Sequence, residues 1–142
     1  MKAIAEKEGA QCIPVSCQIE YEISQLPPTD RKEFLESLGA TESGLDKLVK
    51  AAYKLLNLST FFTCGKDECR AWTFRNGMSA PECAGIIHSD FQKGFIKAEC
   101  YDFEELRKLG SEDAVKSAGK LRMEGKDYLM KDGDVVFFRF NV

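Results

Sequence analysis

The 142-residue chain has one histidine, His88, and one tryptophan, Trp72. A lone histidine argues against a histidine-rich zinc centre and leaves cysteine catalysis with a single candidate base. No run of 18 apolar residues occurs, so no membrane-spanning helix is expected. The opening "MKAIAEKEGAQC" lacks the apolar core of a signal peptide, and a cytoplasmic location is expected. Neither charge sign dominates: 20 basic against 23 acidic side chains give −3. Residues 1–58 hold 7 basic and 9 acidic side chains, residues 59–142 hold 13 and 14. Neither half is a basic nucleic-acid module by composition, so an RNA contact would need a local patch. Internal repeats and low-complexity tracts are absent as well.

Cysteine is present in an even number, at 12, 17, 64, 69, 83 and 100. The close pairs are C-x₄-C and lack the shorter spacing and the further ligands of zinc sites. Without a secretion signal they read as reduced, mostly structural thiols. Cys64 and Cys69 flank one turn, however, and opposed strand positions can bring two Cβ atoms to disulfide distance.

Along the chain, Ile13 to Val15 predict a short strand, followed by a polar turn and an acidic amphipathic segment. "LPPTD" breaks the pattern, and Asp30 with Glu33 has the spacing of a capping box before a helix that stops at Gly39. Leu45, Leu48, Val49, Ala52, Leu55 and Leu56 recur at helical spacing and predict one broad buried face. After Leu58 the pattern changes. "STFFT" and "CRAWTFR" flank a polar tip and predict a hairpin, with Gly65 easing the bend and Lys66 and Asp67 facing water. Asn76–Gly77 turns the chain again. Ser79 and Glu82 mark the start of a helix that carries Ala80, Cys83, Ala84, Ile87 and Phe91 on one face and ends at Gly94. "FIKAECY" predicts a strand with Ile96, Ala98 and Cys100 on its buried side. Asp102 and Glu105 open another helix, and a short helical piece follows at "SEDAVKSAG". The end reads as strand, turn at Gly125, strand, turn at Asp132–Gly133 and a long final strand. From residue 59 the order is two strands, helix, strand, a minor helical link and closing strands. One helix across a small mixed sheet, an α+β fold of β-grasp type, buries these faces.

Three kinds of chemistry could sit on this frame. A phosphate loop requires G-x-x-x-x-G-K-[ST]. Gly65–Lys66 is followed by Asp67, and Thr60 stands where the first glycine belongs; Gly125–Lys126–Asp127 fails in the same way. His88 lies one position beyond the core-facing Ile87 and lacks a third group for catalysis. A basic and aromatic surface remains: Arg70 and Arg75 near Trp72, with His88, Lys93, Lys97, Lys120 and Arg122 as further candidates for RNA or partner contact. The alternative for these residues is a solvated surface with acidic side chains interleaved. No catalytic or metal-ligating set is expected in the chain.

The strings "FFTCGKDECRAWTFRNGMSAPECAGIIHSDFQKGFIKAE" and "GKDYLMKDGDVVFFRFNV" cover nearly all of residues 59–142. They closely resemble the C-terminal TGS domain of the YchF/Obg-like ATPase family of P-loop proteins. The upstream "IPVSCQIEYEISQL" and the segment to Leu58 resemble the tail of that family's nucleotide-binding domain. The resemblance implies a mainly helical remnant of that domain at 1–58 and a β-grasp TGS domain at 59–142. "VSCQ" stands at the family's last nucleotide motif, which puts Ser16 and Cys17 near the base. The family's phosphate loop, switch segments and N-x-x-E base-selecting motif lie upstream, so the chain is expected to be a non-catalytic C-terminal fragment. The intact parent would bind and hydrolyse ATP, or GTP, with Mg²⁺, in association with the ribosome, RNA or a translation-related protein. Neither membrane nor DNA partners are implied. The alternative is a stand-alone β-grasp adaptor that binds RNA or protein and hydrolyses no nucleotide.

Overall fold

A computed structural model describes residues 1–65 and 68–141. The expected outward orientation of Lys66 and Asp67 lies outside the described residues. The chain divides into two compact units, Met1–Leu55 and Leu56–Val142.

The first unit is helical: α1 (Lys2–Lys7), α2 (Cys17–Gln25), α3 (Pro28–Ser37) and α4 (Gly44–Leu55). Residues 10–16 form no strand, which corrects the expectation for Ile13–Val15. β-Branched residues favour extended backbone, but a strand needs a partner, and the one sheet described lies in the other unit. α3 begins at Pro28, two residues before the expected cap at Asp30, and no side chain caps it. Proline suits the first turn because its missing N–H would be unpaired there. The helix does end at Gly39, whose φ is +70°. Ser43 caps α4 by accepting from Asp46 N–H at 3.0 Å, and the Glu20 carboxylate accepts from Gly44 N–H at 2.7 Å. The expected buried face of α4 is open instead: Leu45, Leu48, Val49, Leu55 and Leu56 are all exposed. Helical spacing marks one apolar face but does not supply what covers it.

The second unit runs β1 (Leu58–Cys64), β2 (Cys69–Arg75), α5 (Ala80–Ile87), α6 (Ser89–Lys93), β3 (Phe95–Asp102), α7 (Phe103–Leu109), α8 (Glu112–Ser117), β4 (Arg122–Glu124) and β5 (Asp134–Phe140). The sheet order is β2-β1-β5-β3-β4, with β1 and β5 parallel and the other neighbours antiparallel. One sheet face, with Phe61, Phe74, Ala98, Cys100, Val136 and Phe138, packs on Ala80, Cys83 and Ala84 of α5 to form the main core. On the other face Tyr101 and Val135 pack with Val115 of α8 and Leu106 of α7. The two short helices cover one end of that face only.

Three expectations in this unit are corrected. The helix expected from Ala80 to Gly94 breaks at His88, whose φ of −159° and ψ of 143° are extended. The break divides it into α5 and α6. A register shift between Phe95 and Lys97 turns Ile96 out to solvent and puts Phe95 in the core. A bulge adds one residue and so reverses which side chains face inward. The strand expected after Gly125 is reduced to an isolated bridge between Ser79 and Leu129.

Candidate partner-binding surface

The sheet's alternation fixes where each candidate side chain stands. Trp72 pairs with Phe61 and shares its helix-bearing face, with the two rings stacked at 6.5 Å. Its Nε1–H donates to Thr63 Oγ1 at 2.9 Å, and the Arg70 guanidinium lies 4.3 Å from its ring centre. Arg75 and Lys97 project from the opposite face, the former from edge strand β2 and the latter from β3. His88 is exposed at the α5–α6 junction. Its Nδ1 accepts from Asp90 N–H at 3.2 Å and caps α6, while its ring meets Phe91 edge-on. Lys93 lies in the last turn of α6. Lys120 precedes β4 and stands 3.9 Å from Glu105. Arg122 is engaged on β4, donating to Glu124 at 3.4 Å, Tyr128 at 3.1 Å and Asp134 at 2.8 Å. The eight side chains are therefore distributed over two sheet faces and the helical rim rather than gathered in one patch.

The face not crossed by α5 presents another set. Phe137 is 49% exposed on β5, and the Arg139 guanidinium lies 4.4 Å from its ring centre. Arg139 Nε–H donates to Glu99 Oε1 at 2.8 Å; this bond holds the Glu99 carboxyl below its ordinary range. Lys97 pairs in register with Arg139, and Met123, also exposed, pairs with Glu99. An exposed ring under a guanidinium beside a lysine can stack a planar group and neutralise an anion. Sequence reading missed Phe137 and Arg139. Their signal was the run "VVFFRF", in which alternation about Val136 and Phe138 sends Phe137 and Arg139 to the other side.

In the first unit, the Ser16 hydroxyl accepts from Ile19 N–H at 3.4 Å and caps α2; Cys17 opens that helix and is exposed. Among the described residues no three of His, Cys, Asp and Glu converge to hold a metal ion. No helix described is long and apolar enough to cross a membrane.

The YchF-GTPase_C family, described as "Protein of unknown function (DUF933)", matches residues 58–141. The chain belongs to this YchF C-terminal family. Similar curated YchF relatives include the "Ribosome-binding ATPase YchF" of Bacillus subtilis (strain 168), 54% identical over all of this chain and 39% of its own length. The human "Obg-like ATPase 1" is 48% identical over 94% of this chain and 33% of its own. The solved YchF GTPase of Schizosaccharomyces pombe superposes with a TM-score of 0.81 at 37% identity, covering 97% of this chain and 36% of that one. The chain thus spans less than two-fifths of the length of these YchF-type proteins.

Proposed function

We propose that the second unit is a β-grasp TGS module that binds the ribosome through RNA, and that residues 1–58 are the tail of a nucleotide-binding domain. The intact protein would be a cytoplasmic ATPase using ATP and Mg²⁺, with Ser16 and Cys17 near the base. Residues 1–142 contribute binding rather than hydrolysis. The observation that carries the reading is the open sheet face, where Phe137 lies under Arg139 with Lys97 beside them. Bases stack on exposed aromatic rings while cations meet the phosphates. Arg70 on Trp72 is a second stacking position, at the sheet's edge. The relatives' name, ribosome-binding ATPase, agrees with this reading.

The residues in hand do not fit a nucleotide's phosphates or Mg²⁺. Thr60 N–H donates to Asp132 Oδ1 and Gly65 N–H to Glu68 O, so these amides serve the sheet and its turn rather than a phosphate cradle. Ribosome co-sedimentation tests the binding surface. Phe137→Ala with Arg139→Ala should weaken association, and the charge reversals Arg70→Glu and Lys97→Glu should add to the loss. Unchanged sedimentation of the Phe137/Arg139 double variant and of both charge reversals would remove this surface from the reading. Mg²⁺-dependent ATP turnover by the purified chain would overturn its non-catalytic part.

A further inference from the structure

We propose that Cys64 and Cys69 are a thiol modification site, a dithiol that closes to a cross-strand disulfide by exchange with a small-molecule disulfide. The two residues are direct partners in the β1–β2 register. Their pair is of the closer kind. Gly65 N–H donates to Glu68 O at 2.8 Å, and at the far end Asn76 N–H donates to Asn57 O at 2.9 Å. Both bonds put the odd-numbered residues of β1 in hydrogen-bonded pairs, which makes Cys64–Cys69 a non-hydrogen-bonded one. Such pairs have Cα atoms about 4.5 Å apart, inside the range of about 4.4–6.8 Å that a disulfide spans. Both side chains project from the same sheet face, as opposed residues must.

Access divides the roles. Cys69 is exposed on edge strand β2, and Cys64 is half-buried. The Cys69 thiolate attacks the small disulfide, forming a protein mixed disulfide and releasing one small thiol. The Cys64 thiolate then attacks Sγ of Cys69, forming the Cys64–Cys69 bond and releasing the second thiol. Two protein thiols are oxidised and one small disulfide is reduced to two thiols, so electrons and protons balance. Burial and the hydrogen bond with Cys69 push the Cys64 thiol up to about 11. The closing step therefore quickens as pH rises from neutral. The Cys64 side chain packs against the cluster of Tyr101, Val115 and Val135 on the face opposite Trp72, so the bond would clasp the hairpin end that borders this second cluster.

The test uses the intact reduced chain with oxidised glutathione, quenched by alkylation and mapped without reduction. Trypsin cuts after Lys66 and so separates the two cysteines onto different peptides. The expected result is a linked Cys64–Cys69 peptide pair that carries no glutathione, whatever adducts exposed Cys12 and Cys17 carry. Cys64→Ser should instead stop at a glutathione adduct on Cys69, and Cys69→Ser should leave Cys64 unmodified. Thermal melts of both variants establish that they remain folded. A native chain that stops at the Cys69 adduct, links Cys69 to Cys12 or Cys17, or does not react overturns the proposal.

Discussion

Arg122 on β4 reaches past the intervening strand β3 to place Nη2 2.8 Å from Oδ1 of Asp134, the first residue of β5. Asp134 is 2% exposed, and its other oxygen accepts from Tyr128 OH at 2.7 Å and Lys131 N–H at 3.0 Å. One carboxylate thus fixes an edge strand, an irregular loop and the start of the closing strand. Removing one partner leaves the others buried without theirs, which costs more than the net worth of the pair. Arg122→Ala and Asp134→Ala should each destabilise the unit by about 2–4 kcal/mol, at the low end for Arg122 because it keeps some solvent. The double variant should lose much less than the sum. Urea unfolding of the four proteins measures the coupling, and strict additivity would mean that the residues act independently.

Gly94 sets the meeting of β3 with the end of β5. A Cβ there would lie 2.1 Å from Asn141 O and 2.8 Å from its carbonyl carbon, both backbone atoms that cannot swing aside. Gly94→Ala should therefore separate these strand ends at a cost of about 1–3 kcal/mol, as other overpacked sites do. Gly125→Ala, where a Cβ meets nothing within 4 Å, is the matched control and should leave the melting temperature unchanged. Equal melting of the two variants would contradict the close approach.

The elements that sequence made legible are those whose signal is local. The β1–β2 hairpin follows from two β-rich runs around one turn, and the start of α5 from Ser79 and Glu82. The buried set Ala80, Cys83 and Ala84 follows from helical spacing. The break at His88 was hidden because apolar spacing continues through it to Phe91, whose ring stacks on Phe140 at 3.9 Å. That contact, between residues far apart in sequence, is tertiary. Ile96 was misassigned for a related reason, since a bulge has no signature in an alternating run. The candidate surface was legible in its residue types but not in its faces. Arg70 and Lys97 stand on opposite sides of the sheet, and only the register with β1 and β5 reveals it.

The first turn of α5 supplies a pH-dependent contribution. The Glu82 carboxylate accepts from both the N–H and the Oγ–H of Ser79 at 2.7 Å, and these bonds hold its pKa below the ordinary 4.5. A carboxyl lowered by folding stabilises the native state above its unfolded value and loses that contribution as pH falls through the folded one. Native protein should therefore melt higher than Glu82→Gln at neutral pH, and the gap should close as pH drops below about 4.5. Thermal melts across that range check it; a gap that persists in acid would assign the effect to shape rather than charge.

Cys83 and Cys100 make the last case. Both are fully buried in the main core, Cys83 on α5 and Cys100 on β3, and burial pushes each thiol up to about 12. Alkylation requires the thiolate and a path to it, and the native fold withholds both. A short pulse of iodoacetamide at mildly alkaline pH should label exposed Cys12, Cys17 and Cys69 while sparing Cys83 and Cys100. In urea all six should react, and the urea dependence of Cys83 and Cys100 labelling should track unfolding of the second unit as a whole. Rapid native labelling of either would mean that α5 leaves the sheet far more readily than its packing on Phe61 and Phe74 allows.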